Sequence, residues 1–522
     1  MDSPPQTPAA SAVPVTVIGA GASGGQAGSR RYITAALMLV MVLASMEQTI
    51  TSTAMPTIIG ELHGLEHYAW VAAIYLLAAT VSMPLYGRLA DVLGRKRVLL
   101  GALLLFLAAS VLSATAHTMG QLIVYRGLQG LGAGGIMPVV LTILGDIFTI
   151  QERAHIQGLF SSIWGVSSLA GPWLGASLVR LLGWRSIFFV NLPFGVMAMV
   201  VLVWSYHDHE KPHSTDLDLP GAGALALGCI CALALVSRLG PEGWSWTTIG
   251  LLMATTAASL AYFIVHEFRT DNPIMPPRLM LRRAIGPSVV GSALMGIGFL
   301  SMDTYVPLYV QGGRGGGVMG AAGVVTPVML TWAISGPIAA FLVVKWGFRR
   351  TAMLGTGLII CGFSGLLACA FFVAPQYLLT GVLAVTGFGL GPCSMSYLLA
   401  AQDAVGFQQR GIITSSVTFF RTMGGAIGIG MLGALFNVLI RPRMAEFRRL
   451  NVSPDQLLDP HVSRDLSPQV MASIRHMISG GLLWVFLAML LVAIVQAACS
   501  LLMPRTKHDH KLRASQTMEA VG

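Results

Sequence analysis

Charge is what this sequence has least of: 10% of its 522 residues are Asp, Glu, Lys or Arg, where an ordinary soluble domain carries about a quarter. With 54% hydrophobic residues and a mean hydropathy of +0.72, a water-soluble globular chain is excluded. Cysteine is scarce too. All six (Cys229, Cys231, Cys361, Cys369, Cys393 and Cys499) fall in apolar runs with no pair at zinc-ligand spacing, so they read as small core residues and no metal site is expected. No nucleophile-base constellation and no phosphate loop is present, so no catalytic residue is assigned and an enzyme is not expected. One Gly-rich stretch, Val17 to Gly24, spells a dinucleotide fingerprint but lacks the strand before it and the helix and second strand after it. No cofactor is expected. The first apolar run is too long for a signal peptide and has no small-residue cleavage site, so a cleaved leader is not expected.

What the sequence does have is apolar runs of spanning length. They recur about fourteen times with short polar breaks, the pattern of an all-α polytopic membrane protein rather than of a barrel. The 60 glycines suit close helix packing in lipid. The net charge of +10 sits mostly in the short breaks, which points to the bilayer rather than nucleic acid as partner and puts both termini in the cytoplasm. The expected organisation is a disordered tail over 1–30, six spans over 31–206, a connector with two extra spans over 207–283, six more spans over 284–503 with a long external loop at 441–479, and a second tail over 504–522. The connector's His207, His209 and His213, with Asp208 and Glu210, have no ligand spacing and read as a solvated loop. Its two spans read as almost free of buried polar chemistry.

The halves repeat. Ser45-Met46-Glu47 returns as Ser301-Met302-Asp303; Pro84, Gly94 and Arg97 return as Pro337, Gly347 and Arg350; Gly130, Gly132, Gly134 and Asp146 return as Gly387, Gly389, Gly391 and Asp403. Two six-helix halves with an added pair between them is a layout typical of transporters that rock about a midplane site.

Within this frame a few polar residues carry the chemistry. Glu47 lies about 21 Å into a hydrocarbon core of about 30 Å, where acids serve as proton or ion sites. Asp303 is its repeat mate, so the pair is expected at matching depth on facing walls of one cavity. Arg126, buried about 8 Å from the opposite end of its span, lies at a depth where it can meet Glu47. Arg421 lies near the midplane with no counterpart in the first half and is expected to need a polar partner. In the loop Gly87 to Arg97, Asp91 can pair with a neighbouring Arg or cap a helix start, Gly94 allows a tight turn, and Arg95, Lys96 and Arg97 pin the loop to the cytoplasm. Val344 stands where the second half would repeat Asp91.

These stretches resemble signatures of the major facilitator superfamily. The loop cluster Gly87, Asp91, Gly94, Arg95 and Arg97 is similar to the family's cytoplasmic latch. Tyr125 to Gly132 is similar to its span 4 signature, in which the Arg is implicated in proton coupling. Gly165, Gly171, Pro172 and Gly175 are similar to the antiporter signature, with Ala176 where a second Gly is common. Met46-Glu47-Gln48-Thr49-Ile50, Trp184 to Phe188 with Asn191-Leu192-Pro193, Gln409-Arg410-Gly411 and Phe420 to Gly425 resemble the fourteen-span drug:proton antiporters, with Glu47 replacing their usual Asp. The resemblance covers residues 33–503. It implies a major facilitator fold of two six-helix bundles plus two extra central spans, and multidrug efflux of hydrophobic or amphiphilic, often cationic, compounds across a bacterial inner membrane, of the kind that confers antibiotic resistance. The proton gradient would drive it through Glu47 or Asp303, with Arg126. Gln129, Trp164, Phe299, Tyr305, Tyr309, Phe419, Phe420 and Arg421 would line the cavity. A dedicated proton-coupled exporter of one metabolite is the alternative, and a membrane sensor a more distant one. A periplasmic adaptor, the substrates and the oligomeric state are left open.

Overall fold

The computed structural model describes residues 24–62, 68–206, 218–237, 246–283, 285–315, 317–448 and 468–504, and among these no strand occurs. The first half holds α1 (Gly24–Leu62), α2 (Tyr68–Leu93), α3 (Arg95–Ala114), α4 (Met119–Ile147), α5 (Ile150–Leu182), and a last span broken into α6 (Ser186–Phe189) and α7 (Asn191–Ser205). The inserted pair is α8 (Leu219–Ser237) and α9 (Trp246–Arg269), followed by the short α10 (Pro277–Met280). The second half holds α11 (Gly286–Leu308), α12 (Gly317–Phe371), α13 (Gln376–Asp403), α14 (Arg410–Arg448) and α15 (Pro468–Leu502). Among the described residues ten helices are long and apolar enough to cross a membrane, and one of them is two spans joined through Gly347, whose φ of 79° is not helical. With α1, α5 and α8 the described residues supply the expected fourteen spans.

The repeat read from the sequence is visible as repeated packing. Gly130 passes Tyr75 and Ala78 of α2, as Gly387 passes Val328 and Thr331 of α12. Gly132 lies on Ala102 and Phe106 of α3, and Gly389 on Gly355 and Ile359; Gly134 meets Ser82, and Gly391 meets Ser335. At each of these glycines a Cβ would collide with the neighbouring helix, so the spacing of small residues sets the crossing distance. Gly94 (φ 94°) and Gly347 (φ 79°) make the same left-handed turn in the two halves, which a Cβ would strain. Two seams join the halves. In one, Gly87 of α2 abuts Ser415 and the Gly411 carbonyl of α14; in the other, Gly158 and Gly165 of α5 pack on Pro337 and Ala333 of α12.

Three expectations need correction. Helix α1 begins at Gly24, inside the stretch expected as tail, because Arg30 at its foot packs over the Phe148 ring at 5.9 Å and faces Glu152 at 3.9 Å. Residues 1–23, with most of the Gly-rich stretch, lie outside the described residues, as does the histidine cluster of the connector. The loop expected at 441–479 is narrowed from both sides, since α14 runs on to Arg448 and α15 starts at Pro468. The inserted pair is also not devoid of polar chemistry. Buried Glu267 accepts the backbone N–H groups of Ile274 (3.1 Å) and Met275 (3.0 Å), and buried Asp218 accepts from Gly221 N–H and pairs with His266 at 2.7 Å. These bonds fold the chain after α9 back on itself, and Arg88 of α2 donates to Asn272 in that turn at 2.7 Å.

The packing predicts matched sensitivity in the two halves. Gly132→Val and Gly389→Val should each destabilise the purified protein by about 1–3 kcal/mol, the usual cost of overpacking. Gly101→Val, at a site with open space around it, should leave the melting temperature in detergent unchanged. Equal effects at all three positions would contradict the packing.

Candidate transport site

Glu47 is the centre of a closed polar cluster in the first half. It is 2% exposed, and its partners come from three helices, its own among them. Arg126 of α4 donates to Oε1, Thr51 one turn along α1 donates to the same oxygen at 3.1 Å, and Asn191 at the start of α7 donates to Oε2 at 2.5 Å. Arg126 also donates to Gln129 Oε1 (2.7 Å), while Gln129 and Asn191 both donate to Ser110 of α3, whose hydroxyl passes its own proton to the Phe188 carbonyl. The Tyr75 ring of α2 lies under the Arg126 guanidinium at 4.3 Å. A buried guanidinium and carboxylate are stable only when paired and further hydrogen-bonded, which this cluster achieves except at Arg126 Nε, left without a partner.

A second cluster closes one end of the bundle. Asp91 accepts from Arg95 (2.8 Å) and also from the backbone N–H groups of Gly411 (3.2 Å) and Ile412 (2.9 Å), capping the first turn of α14 in the other half. A carboxylate at a helix N-terminus satisfies orphan donors and meets the positive end of the dipole. Arg95 is buried; it reaches Asp146 (3.0 Å) and the Phe407 carbonyl (2.9 Å), and lies over the Phe407 ring at 4.3 Å. Arg410 crosses back to Asp146 (3.2 Å) and the Gly145 carbonyl (2.7 Å). Gly94 makes the turn that starts α3 at Arg95, and Arg97 is exposed.

The second half is different. Asp303 on α11 is exposed, and Arg421 on α14 is half-buried. Neither has a hydrogen-bond or ion-pair partner among the described residues. Glu47 is thus sealed in its cluster and Asp303 open, rather than both lining facing walls of one cavity as expected, and the polar partner expected of Arg421 is not found among the described residues. Several supposed wall residues are core residues instead. Gln129 belongs to the Glu47 cluster, Tyr305 donates its hydroxyl to the Ile429 carbonyl, and Tyr309 is buried edge-to-face on Phe486. Phe299 and Phe420 stay half-buried, Phe299 edge-on against Trp332 and Phe420 beside the buried Phe419 where α14 meets α8 and α2. Gly165, Gly171 and Gly175 are buried along α5, where Ser162 donates to the Ala333 carbonyl at 3.1 Å. The side chains of Trp164 and Pro172 lie outside the described residues.

Sequence reasoning missed Thr51, Ser110 and Asn191 as ligands of the cluster around Glu47, and Asp146 and Arg410 as the other side of the latch. Asn191 and Arg410 lie within quoted signatures, and Asp146 within the repeat, so the signal was there without an assigned partner. No group of His, Cys, Asp or Glu that could hold a metal ion occurs among the described residues.

Comparison with known proteins accords with this fold. The profile described as the Major Facilitator Superfamily matches residues 37–429. The Bacillus subtilis multidrug transporter protein MdtP is 34% identical over 79% of this chain and 76% of its own length, and multidrug resistance protein 3 of the same organism is 28% identical over 91% and 95%. Citrate exporter 1 of Yarrowia lipolytica is 28% identical over 77% of this chain and 60% of its own length. Among solved structures, that of the human organic anion transporter MFSD10 aligns with a TM-score of 0.59 at 14% identity, over 89% of this chain and 99% of that one.

The buried pair makes a charge prediction. Arg126→Gln strands Glu47 in the bundle and should cost about 3–5 kcal/mol, read as a lower melting temperature in detergent. Adding Glu47→Gln should restore most of that stability, because two neutral amides replace two charges. A double variant no more stable than Arg126→Gln would mean that the pair is not the stabilising unit.

Proposed function

This chain belongs to the Major Facilitator Superfamily, and from that membership we propose that it is a proton-driven exporter of hydrophobic or amphiphilic, often cationic, compounds. It works across a bacterial cytoplasmic membrane, with both termini and the Arg88–Arg97 loop inside. The two Bacillus relatives support the multidrug part of this reading by their names. The observation that carries the proton part is the sealed Glu47–Arg126–Asn191 cluster. A proton on Glu47 replaces a charge-assisted bond with a neutral one and leaves Arg126 to find new partners. Because the ligands come from α1, α3, α4 and α7, their rearrangement moves helices relative to one another. Exchange is driven only if the two states bind proton and substrate differently, and this cluster supplies two such states.

The latch supplies the other requirement. Asp91, Arg95, Asp146 and Arg410 hold the inner end shut, and substrate enters only after those bonds break. Asp303, exposed and unpaired, is the acid that a cationic substrate meets first, while Glu47 takes the proton. A second reading, the dedicated exporter of one metabolite, keeps the same fold and coupling; the relative named as a citrate exporter favours it. Broad resistance to unrelated toxins on overexpression separates the two.

Glu47→Gln should abolish drug-induced proton release from the purified protein. Asp303→Asn should retain it while weakening export of cationic compounds about tenfold, or about 1.4 kcal/mol, and sparing neutral ones. The reverse pair of phenotypes would make Asp303 the proton carrier. For sidedness, a cysteine placed by Lys96→Cys should be labelled by an impermeant reagent only after the cells are opened. Labelling in intact cells would invert the whole topology.

A further inference from the structure

Asp303 of α11 and Arg421 of α14 stand without a partner among the described residues. Among the described residues the buried acids are matched: Glu47 by Arg126, Asp91 and Asp146 by Arg95 and Arg410, Asp218 by His266, and Glu267 by two backbone N–H groups. Asp303 and Arg421 are not. An unpaired carboxylate and guanidinium within the membrane are costly, and such residues mark substrate and ion pathways.

Their positions are linked by helix packing. Gly296 of α11 lies directly against the backbone carbonyl of Arg421, which fixes the level of that residue on α14. Asp303 is two turns further along the same face of α11, about 10 Å up the axis. The two side chains make no bond to each other, and at that offset one molecule can touch both. Phe299, in the turn between, forms an aromatic corner with Trp332, their ring centroids 4.8 Å apart. Position 421 also points away from the inserted pair: Phe419 and Met423 pack with Leu225 and Cys229 of α8, and residue 421 is about 160° around the helix from each.

We propose that Asp303, the Phe299–Trp332 corner and Arg421 form a substrate subsite for zwitterionic aromatic amphiphiles, with the substrate's ammonium group on Asp303 and its carboxylate on Arg421. This rests on the exporter reading and narrows its substrate class. A purely cationic substrate leaves Arg421 uncompensated, and a purely anionic one leaves Asp303 so; only a molecule bearing both charges neutralises both. The planar fork of Arg421 suits a carboxylate in bidentate fashion.

The test is binding without a gradient. A rigid biphenyl with an aminomethyl group at one end and a carboxylate at the other is compared with its methyl ester, a cation, and its N-acetyl derivative, an anion, by calorimetry on the purified full-length protein. The zwitterion should bind at least tenfold more tightly than either derivative. Asp303→Asn should reduce zwitterion affinity to that of the N-acetyl compound and leave the latter unchanged; Arg421→Gln should reduce it to that of the ester. Arg421→Lys keeps the charge, guards against a folding defect, and should give an intermediate affinity. No preference for the zwitterion, including no binding of any of the three, overturns the proposal, as does unchanged zwitterion affinity in both neutral variants. Zwitterion preference without substrate-induced proton movement would leave the subsite standing and remove the exporter reading. Proton-coupled cation export without that preference would do the opposite.

Discussion

A carboxylate cannot stay ionised inside a bilayer unless something there answers its charge, and in this protein the answer comes from several helices at once. Glu47 needs Arg126 from α4, Asn191 from the start of α7 and Thr51 from its own helix, and these in turn need Gln129 and Ser110. The ion pair adds little net stability, because desolvating both ions offsets most of their attraction. Breaking it is what costs. A pair of this kind therefore fixes how α1, α3, α4 and α7 sit relative to one another more than it glues them, and the glycine crossing at Gly132 lets α4 approach α3 closely enough for the cluster to form.

The halves share a skeleton and divide the chemistry. Equivalent glycines set equivalent crossings, and Gly94 and Gly347 make the same turn, but the first half puts Asp91 before its turn while the second puts Val344 there, exposed. The first-half acid is sealed, and its second-half mate is open. Backbone geometry survives divergence because a single Cβ at these crossings would block them, whereas the side chains around them are free to change task.

The span number, the repeat and the two-half architecture were legible because length and hydropathy decide them, and no alternative satisfies the backbone in lipid. The site was legible only in part. In water, an amphipathic pattern tells which face of a helix is inward; in a membrane, the lipid-facing and core-facing sides are both apolar, so Tyr305 and Tyr309 could not be told from cavity walls by pattern. Hydropathy also passes over single polar residues such as Ser110 and Asn191 when they are set in apolar runs. Glu267 looked unremarkable for another reason: its partners are backbone N–H groups, which any sequence provides.

The contact between Asp91 and the first turn of α14 has the same character, and it bears on genetics. Half of that joint is written in main-chain atoms at Gly411 and Ile412, so no ordinary side-chain replacement there deletes the donors. A lesion at Asp91 thus removes the acceptor and leaves both donors of the first turn of α14 in place. Second-site revertants of such a lesion are confined to the ionic neighbours, Arg95, Asp146 and Arg410, or to changes elsewhere that shift the balance between conformations. The mark the joint leaves in the sequence is the glycine at 411, where a Cβ would lie 2.6 Å from the Asp91 carboxylate.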